Sequence, residues 1–231
     1  LHQHRKTSRP FSSRSFSQCH RYQQKVANTF CNQVVNMFRP ALDFHRLYTT
    51  FNNPVTEVDC GQKCAPFSTR GLPVCCDICE AIPCAYDQEW QYLQTNTDHW
   101  HLWQESDCQQ EFSAEISDYQ VLITCQGSAD CQREYRSISC RQFPFFPYIT
   151  RDSRTLGLTY FWEFEPSCWV ISNLHLVLPV FKRQFLSFYD QLFDQWPEEM
   201  ESYAYLSENM RAYFLSKKRR IPILHRNGKT Y

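Results

Sequence analysis

The sequence predicts an α+β fold: a small cysteine-ligated metal domain with a helical C-terminal extension. Three observations carry that expectation. The 13 cysteines of this 231-residue chain gather mainly in two groups, around residues 60–84 and 125–140. A stretch of alternating apolar residues, Leu156, Leu158, Tyr160, Trp162 and Phe164, follows "PFFPYITRDSR" and reads as a β-hairpin. Beyond it, Phe181, Phe185, Phe188, Leu192 and Trp196 recur every three or four residues, the period of an amphipathic helix.

Residues 1–36 hold six Arg and Lys, no Asp or Glu, and no hydrophobic period. They are expected to be a disordered or misassigned N-terminal extension. An organelle transit peptide is the competing reading. The abrupt change of composition at Met37 favours translation starting there. Cys19 and Cys31 fall in this segment and receive no role. Next, Leu42, Phe44, Leu47, Tyr48 and Phe51 suggest a short helix. A second helix is expected from Asp87, capped by that residue, with Trp90 and Leu93, and further on Trp100 and Trp103, as its apolar face. "YQVLIT" ending at Thr124 reads as a strand. Pro197 suits the first turn of a final helix carrying Tyr203, Leu206, Met210 and Tyr213. A basic "KKRR" at 217–220 and a polar tail close the chain. The implied division is 1–36 extension, 37–175 cysteine-cluster domain, and 176–231 helical extension with a basic tail.

Composition narrows the function classes. With only 5 glycines there is neither G-x-G-x-x-G nor a P-loop. Six of the 24 Lys and Arg precede Met37, leaving 18 against 24 acidic residues, a net of −6 for the remainder. An acidic body argues against nucleic acid as a partner. No apolar run reaches the roughly 18–20 residues that cross a bilayer, and an export signal is missing. A cytoplasmic location with no membrane partner is therefore expected. In a reducing compartment clustered cysteines point to metal rather than disulfides.

The spacing is informative. Cys60-x3-Cys64 precedes adjacent Cys75-Cys76, then Cys79 and Cys84. Cys108 stands apart, and Cys125-x5-Cys131-x8-Cys140 and Cys168 follow. Short spacings in loops let the backbone wrap one ion, and soft sulfur donors select zinc or iron–sulfur clusters. Cys79, Cys84 and Cys108 read equally well as buried apolar residues. The metal set expected is Cys60, Cys64, Cys75, Cys76, Cys125, Cys131, Cys140 and Cys168. In "RSISCRQFPFFP", Arg136 and Arg141 flank Cys140 and are expected to hold the cofactor by neutralising its thiolates, with the Phe-Pro run excluding water.

These residues resemble the YkgJ-type cysteine-cluster family, described as zinc- or iron-chelating domains of the C-x-x-C-x-x-C-C type. "CGQKC" with "CCDIC" corresponds to the family's first group, and "TCQGSADCQREYRSISCRQFPF" to its second. The second is the more specific, matching at Cys125, Cys131, Arg136, Cys140, Arg141, Phe143, Pro144 and Phe145. Ten residues separate Cys64 from Cys75 where the family usually has two, and Ser137 replaces its usual Pro. The resemblance covers residues 58–170 and implies metal binding without a settled reaction. Some relatives resemble flagellin lysine N-methylases, which implies a metal-dependent, methyltransferase-like activity as one alternative. A structural zinc module recruiting a protein partner is another.

The remaining ionisable residues add little. His99 and His101, two apart, are expected at a surface. Glu198 and Glu199 fit a helix first turn, where the macrodipole favours acids. No nucleophile elbow is present, and catalytic residues stay unassigned.

Overall fold

A computed structural model describes residues 39–108 and 116–229. The expectations placed on residues 1–36 lie outside them. The coarse class is as expected: helices mixed with two small antiparallel sheets.

The chain enters with helix α1, Phe44–Thr50, whose Asp43 side chain accepts from the Arg46 amide. The cysteine-rich segment supplies the five-residue helix α2, Cys60–Cys64, capped by Asp59, and a 3₁₀ turn over Val74–Cys76. Strand β1, Cys84–Tyr86, runs straight into helix α3, Asp87–Asn96. Here the N-cap is Tyr86 rather than Asp87. Glu89 closes the turn by accepting from the Tyr86 amide. The helix also ends sooner than its tryptophans suggested. Thr97 breaks it, and Trp100 belongs to strand β2, Trp100–Leu102.

Strand β3, Gln120–Cys125, is the centre of the first sheet. Its first half pairs with β1 and its second half with β2, which sets Cys125 opposite Trp100. A short helix α4, Ile138–Gln142, then leads through a cis Phe143–Pro144 bond into the expected hairpin of β4, Phe145–Ile149, and β5, Thr155–Tyr160. Trp162 and Phe164 lie beyond the strand in a 3₁₀ turn. The hairpin is buried on both faces, so strict alternation does not determine its register: Phe145, Phe146, Ile149 and Leu158 are all fully covered.

What covers it is a pair of helices, α5, Pro179–Gln195, and α6, Pro197–Ser216, each with Pro in its first turn. Phe181, Phe185, Phe188, Tyr189 and Leu192 point into the core. Phe51 from the end of α1 reaches them, with ring centroids 5.6, 6.1 and 5.6 Å from Phe181, Phe185 and Phe188. The tail is not free. Strand β6, Leu224–His225, adds to β5 opposite Gly157 and Leu158. A Cβ at Gly157 would lie 2.8 Å from His225 Cα, so only glycine lets the tail dock there. Among the described residues no helix is long and apolar enough to cross a membrane.

Candidate metal centre

Six thiols lie near enough to influence one another's ionisation, and five of them, Cys60, Cys75, Cys76, Cys131 and Cys140, feel the charge of Arg136. Cys60 comes from α2 and the Cys75–Cys76 pair from the 3₁₀ turn. Cys125 ends β3, Cys131 lies in the following loop, and Cys140 sits on α4. Arg136 Nε donates to Cys131 Sγ at 3.1 Å. Burial opposes that guanidinium's charge, but the bond to Cys131 and the charges of Cys131, Cys140 and Cys75 outweigh it and raise its pKa.

The thiols also act on each other. Cys75 and Cys76 lie with sulfurs 3.9 Å apart, and a hydrogen bond between them lowers the pKa of Cys76 while raising that of Cys75. Charge on Cys60 and Cys140 opposes ionisation of Cys75 further. Burial pushes Cys60 up to about 11, with Cys64 and Asp59 adding to it, and pushes Cys140 up to about 12. Cys125 is raised by burial and by Cys76 and Cys131.

The backbone around this basin is held by side chains rather than by long regular elements. Ser137 caps α4 by accepting from the Cys140 amide at 3.3 Å, an office that proline could not fill. Ser139 Oγ donates to the Cys84 carbonyl at 2.7 Å and accepts from the Cys84 amide at 3.1 Å, fastening α4 to β1. Glu89 accepts from the Ile138 amide and from the Tyr48 hydroxyl, both at 2.6 Å. Trp100 Nε1 donates to the Tyr135 carbonyl at 2.7 Å, and Arg133 pairs with Asp59 at 3.2 Å, joining the loop after Cys131 to the cap before Cys60.

Arg141 departs from its expected role. Its guanidinium donates to the carbonyls of Arg136, Tyr48, Phe51 and Glu134 and lies 4.2 Å from the Tyr48 ring centroid. Buried among carbonyls, it has no sulfur among its partners. It fixes the backbone of Arg136, and Arg136 meets the thiols.

The other expected ligands sort differently. Cys64 and Cys168 perturb each other's ionisation, lowering Cys64 to about 6 and raising Cys168. Cys64 Sγ also accepts from the Trp169 amide at 3.3 Å. Cys79 and Cys108, read as buried apolar residues, form a disulfide with Cα atoms 5.6 Å apart. A spacing of 29 residues through the α3–β2 insert hides such a pairing in the sequence. His99 is buried at 1% exposure rather than lying at a surface, whereas His101 is exposed. The part that Glu89 plays, a buried acceptor for Tyr48 and the Ile138 amide, is not foreseen by the sequence. In the sequence it is one more acid in a helix first turn, and nothing there distinguishes it from Asp87.

The donor chemistry suits a soft metal, since free thiols from separate segments lie within reach of one guanidinium's charge and one of them bonds it. Closure is incomplete, however. Among the described residues no three His, Cys, Asp or Glu side chains come together closely enough to hold an ion. No family model matches the chain, and neither the curated proteins nor the solved structures contain a match.

Proposed function

We propose that the protein binds a sulfur-ligated metal, an iron–sulfur cluster or zinc, in the basin around Arg136. The donors in this reading are Cys60, Cys75, Cys76, Cys125, Cys131 and Cys140. What supports it is that five of these thiols, from separate segments, feel the charge of a single guanidinium that already bonds one sulfur, and Cys125 acts on their neighbours. The resemblance of "CRQFPF" and its preceding cysteines to the YkgJ-type pattern supports it from the sequence side. Six sulfurs exceed the four that one zinc takes, which favours a cluster with spare ligands. A cluster would supply electron-transfer capacity, and zinc a structural clamp.

The chain's own residues have defined parts in this reading. Burial keeps Cys60 and Cys140 protonated in the metal-free form, so loading must release protons. Arg136 offsets the negative charge that the released protons leave behind. Ser137, Ser139 and Glu89 hold α4 so that Cys140 faces the basin.

The test is purification without oxygen, followed by metal and acid-labile sulfide analysis. Iron with matching sulfide identifies a cluster, and zinc without sulfide identifies the clamp. Protein that folds, stays reduced and carries neither in stoichiometric amount overturns the proposal.

A further inference from the structure

One pair of basin sulfurs is close enough to act as a unit. Cys75 and Cys76 have their sulfurs 3.9 Å apart, and both residues are partly exposed. Neighbours in a helical turn do not ordinarily face each other, so this approach belongs to the particular turn that carries them. The Cys76 amide donates to the Pro73 carbonyl at 2.8 Å and the Asp77 amide to the Val74 carbonyl at 3.3 Å, closing the 3₁₀ turn. Asp77 is 3% exposed, accepts from the Cys79 amide at 3.1 Å and pairs with Arg70. Cys79 in turn is bonded to Cys108, so the turn is clamped from its far side. The loop before the pair is exposed at Gly71 and Leu72.

We propose that Cys75 and Cys76 bind one copper(I) ion as a two-sulfur site that is open to an incoming thiol ligand. Zinc and the irons of a cluster require four donors each, and among the described residues no three candidate ligands come together. Copper(I) is the soft ion that two sulfurs satisfy. With metal–sulfur bonds of about 2.3 Å, sulfurs 3.9 Å apart subtend roughly 115° at the ion. That is close to a trigonal angle, and it leaves a third position for an exchangeable ligand from outside the chain. A direct disulfide demands far more movement, since the sulfurs must close to about 2.05 Å.

The step is an exchange of protons for metal, without redox. Two S–H bonds break, two Cu–S bonds form, and two protons leave to solvent. Copper stays monovalent throughout. The two thiolates and the ion together carry one negative charge. Arg136, whose charge reaches both Cys75 and Cys76, offsets it. The fixed turn means that little side-chain freedom is lost when the ion binds. A third sulfur arriving from a carrier can then receive the ion or deliver it, because both protein sulfurs keep contact with solvent.

The inference goes beyond the zinc or cluster reading and stands without it, since it needs only the reduced pair. The test offers the anaerobically purified full chain, with its metal as isolated, copper(I) held by bicinchoninate, and follows the loss of the coloured complex. Free thiols are then alkylated and mapped, and zinc and iron are counted before and after. The expected result is uptake of one copper(I) per chain with Cys75 and Cys76 both protected, any metal that already covered them being expelled. No uptake overturns the proposal. So does uptake with the pair still alkylating, or with a metal that covered the pair still in place. Cys75→Ser and Cys76→Ser should each weaken copper(I) binding by roughly 100-fold or more, beyond the 10- to 100-fold typical of losing a supporting residue. The parent protein alone decides the question if a variant does not fold. The metal counts separate the two readings. A chain isolated without metal that takes copper(I) at the pair keeps this site and loses the zinc or cluster proposal; a chain with stoichiometric metal that refuses copper(I) does the reverse.

Discussion

The cysteine half and the aromatic half of this molecule are built on different physics. Residues 60–84 and 125–142 fold as elements of three to six residues, pinned by Ser137, Ser139, Glu89 and Arg141. Residues 145–216 fold as a hairpin under helices of 17 and 20 residues whose phenylalanines are fully buried. The second region is held by apolar area removed from water, which needs only the right period and volume. The first relies on specific polar contacts, which fix where its thiols lie.

The sharpest way to break that contrast is at Phe185. Phe185→Ala should cost about 3–5 kcal/mol in denaturant unfolding, with metal per folded molecule unchanged. Loss of metal in proportion to the unfolding cost would show that the two halves are not separable in this way. Cys108→Ser comes next. It opens the Cys79–Cys108 disulfide and should cost roughly 3 kcal/mol while leaving metal content intact. Cys140→Ser should do the opposite to metal content. Equal effects of the two changes on metal would remove Cys140 from the ligand set.

The two arginines sharpen the comparison further. Arg141→Gln strips donors from buried carbonyls and should lower stability by roughly 2–3 kcal/mol. Arg136→Gln should leave the unfolding midpoint nearly unchanged but weaken metal binding about 10- to 100-fold in a chelator competition. Lys at position 136 should restore only part of that, lacking the forked donors. A parent-like affinity in Arg136→Gln would show that the guanidinium does not serve the basin.

The smallest effect is on pH. Burial lifts the Glu89 carboxyl to about 7 and that of Glu163 to about 7 as well. Both folded values lie above the usual carboxylate value of 4.5, so the native state holds protons that the unfolded chain has released. Stability is therefore greatest below pH 4.5 as far as these groups go, and falls as pH rises toward 7, by at most about 1.4 kcal/mol per pH unit for each. Denaturant midpoints between pH 4.5 and 7 should slope downward in the parent and less so in Glu163→Gln. That change is the cleaner one, because Glu163 Oε2 has no hydrogen-bond partner to lose. An unchanged slope would mean that Glu163 ionises freely in the fold.

Sequence alone disclosed the aromatic half well. Phe181, Phe185, Phe188 and Leu192 are core residues, Pro197 opens α6, and "TLGLTY" is a strand, because each follows a period that backbone geometry imposes. The cysteine half was legible as a set but not as a map. Spacing along the chain gathered Cys125, Cys131 and Cys140 with Arg136. It could not foresee that Cys79 would pair with Cys108 or that the Trp169 amide would bond the Cys64 sulfur, because those partners are set by how distant segments pack. Arg141 was misread for the same reason. A basic residue beside a cysteine looks like its counterion, but the end of α1 and the 134–136 loop together present it with carbonyls.

The contact between Phe51 and α5 has a consequence for synthesis. Phe51, whose carbonyl receives Arg141, packs its ring against Phe181, Phe185 and Phe188, and Trp196 Nε1 donates to the Pro40 carbonyl at 3.0 Å. A ribosome releases Cys140 56 residues before Trp196. At about 5–20 residues per second that gap lasts on the order of 3–11 s. For that interval the six basin cysteines are all outside the ribosome without the aromatic half to cover them. Metal delivery, or its failure, is thus open to whatever meets the nascent chain first.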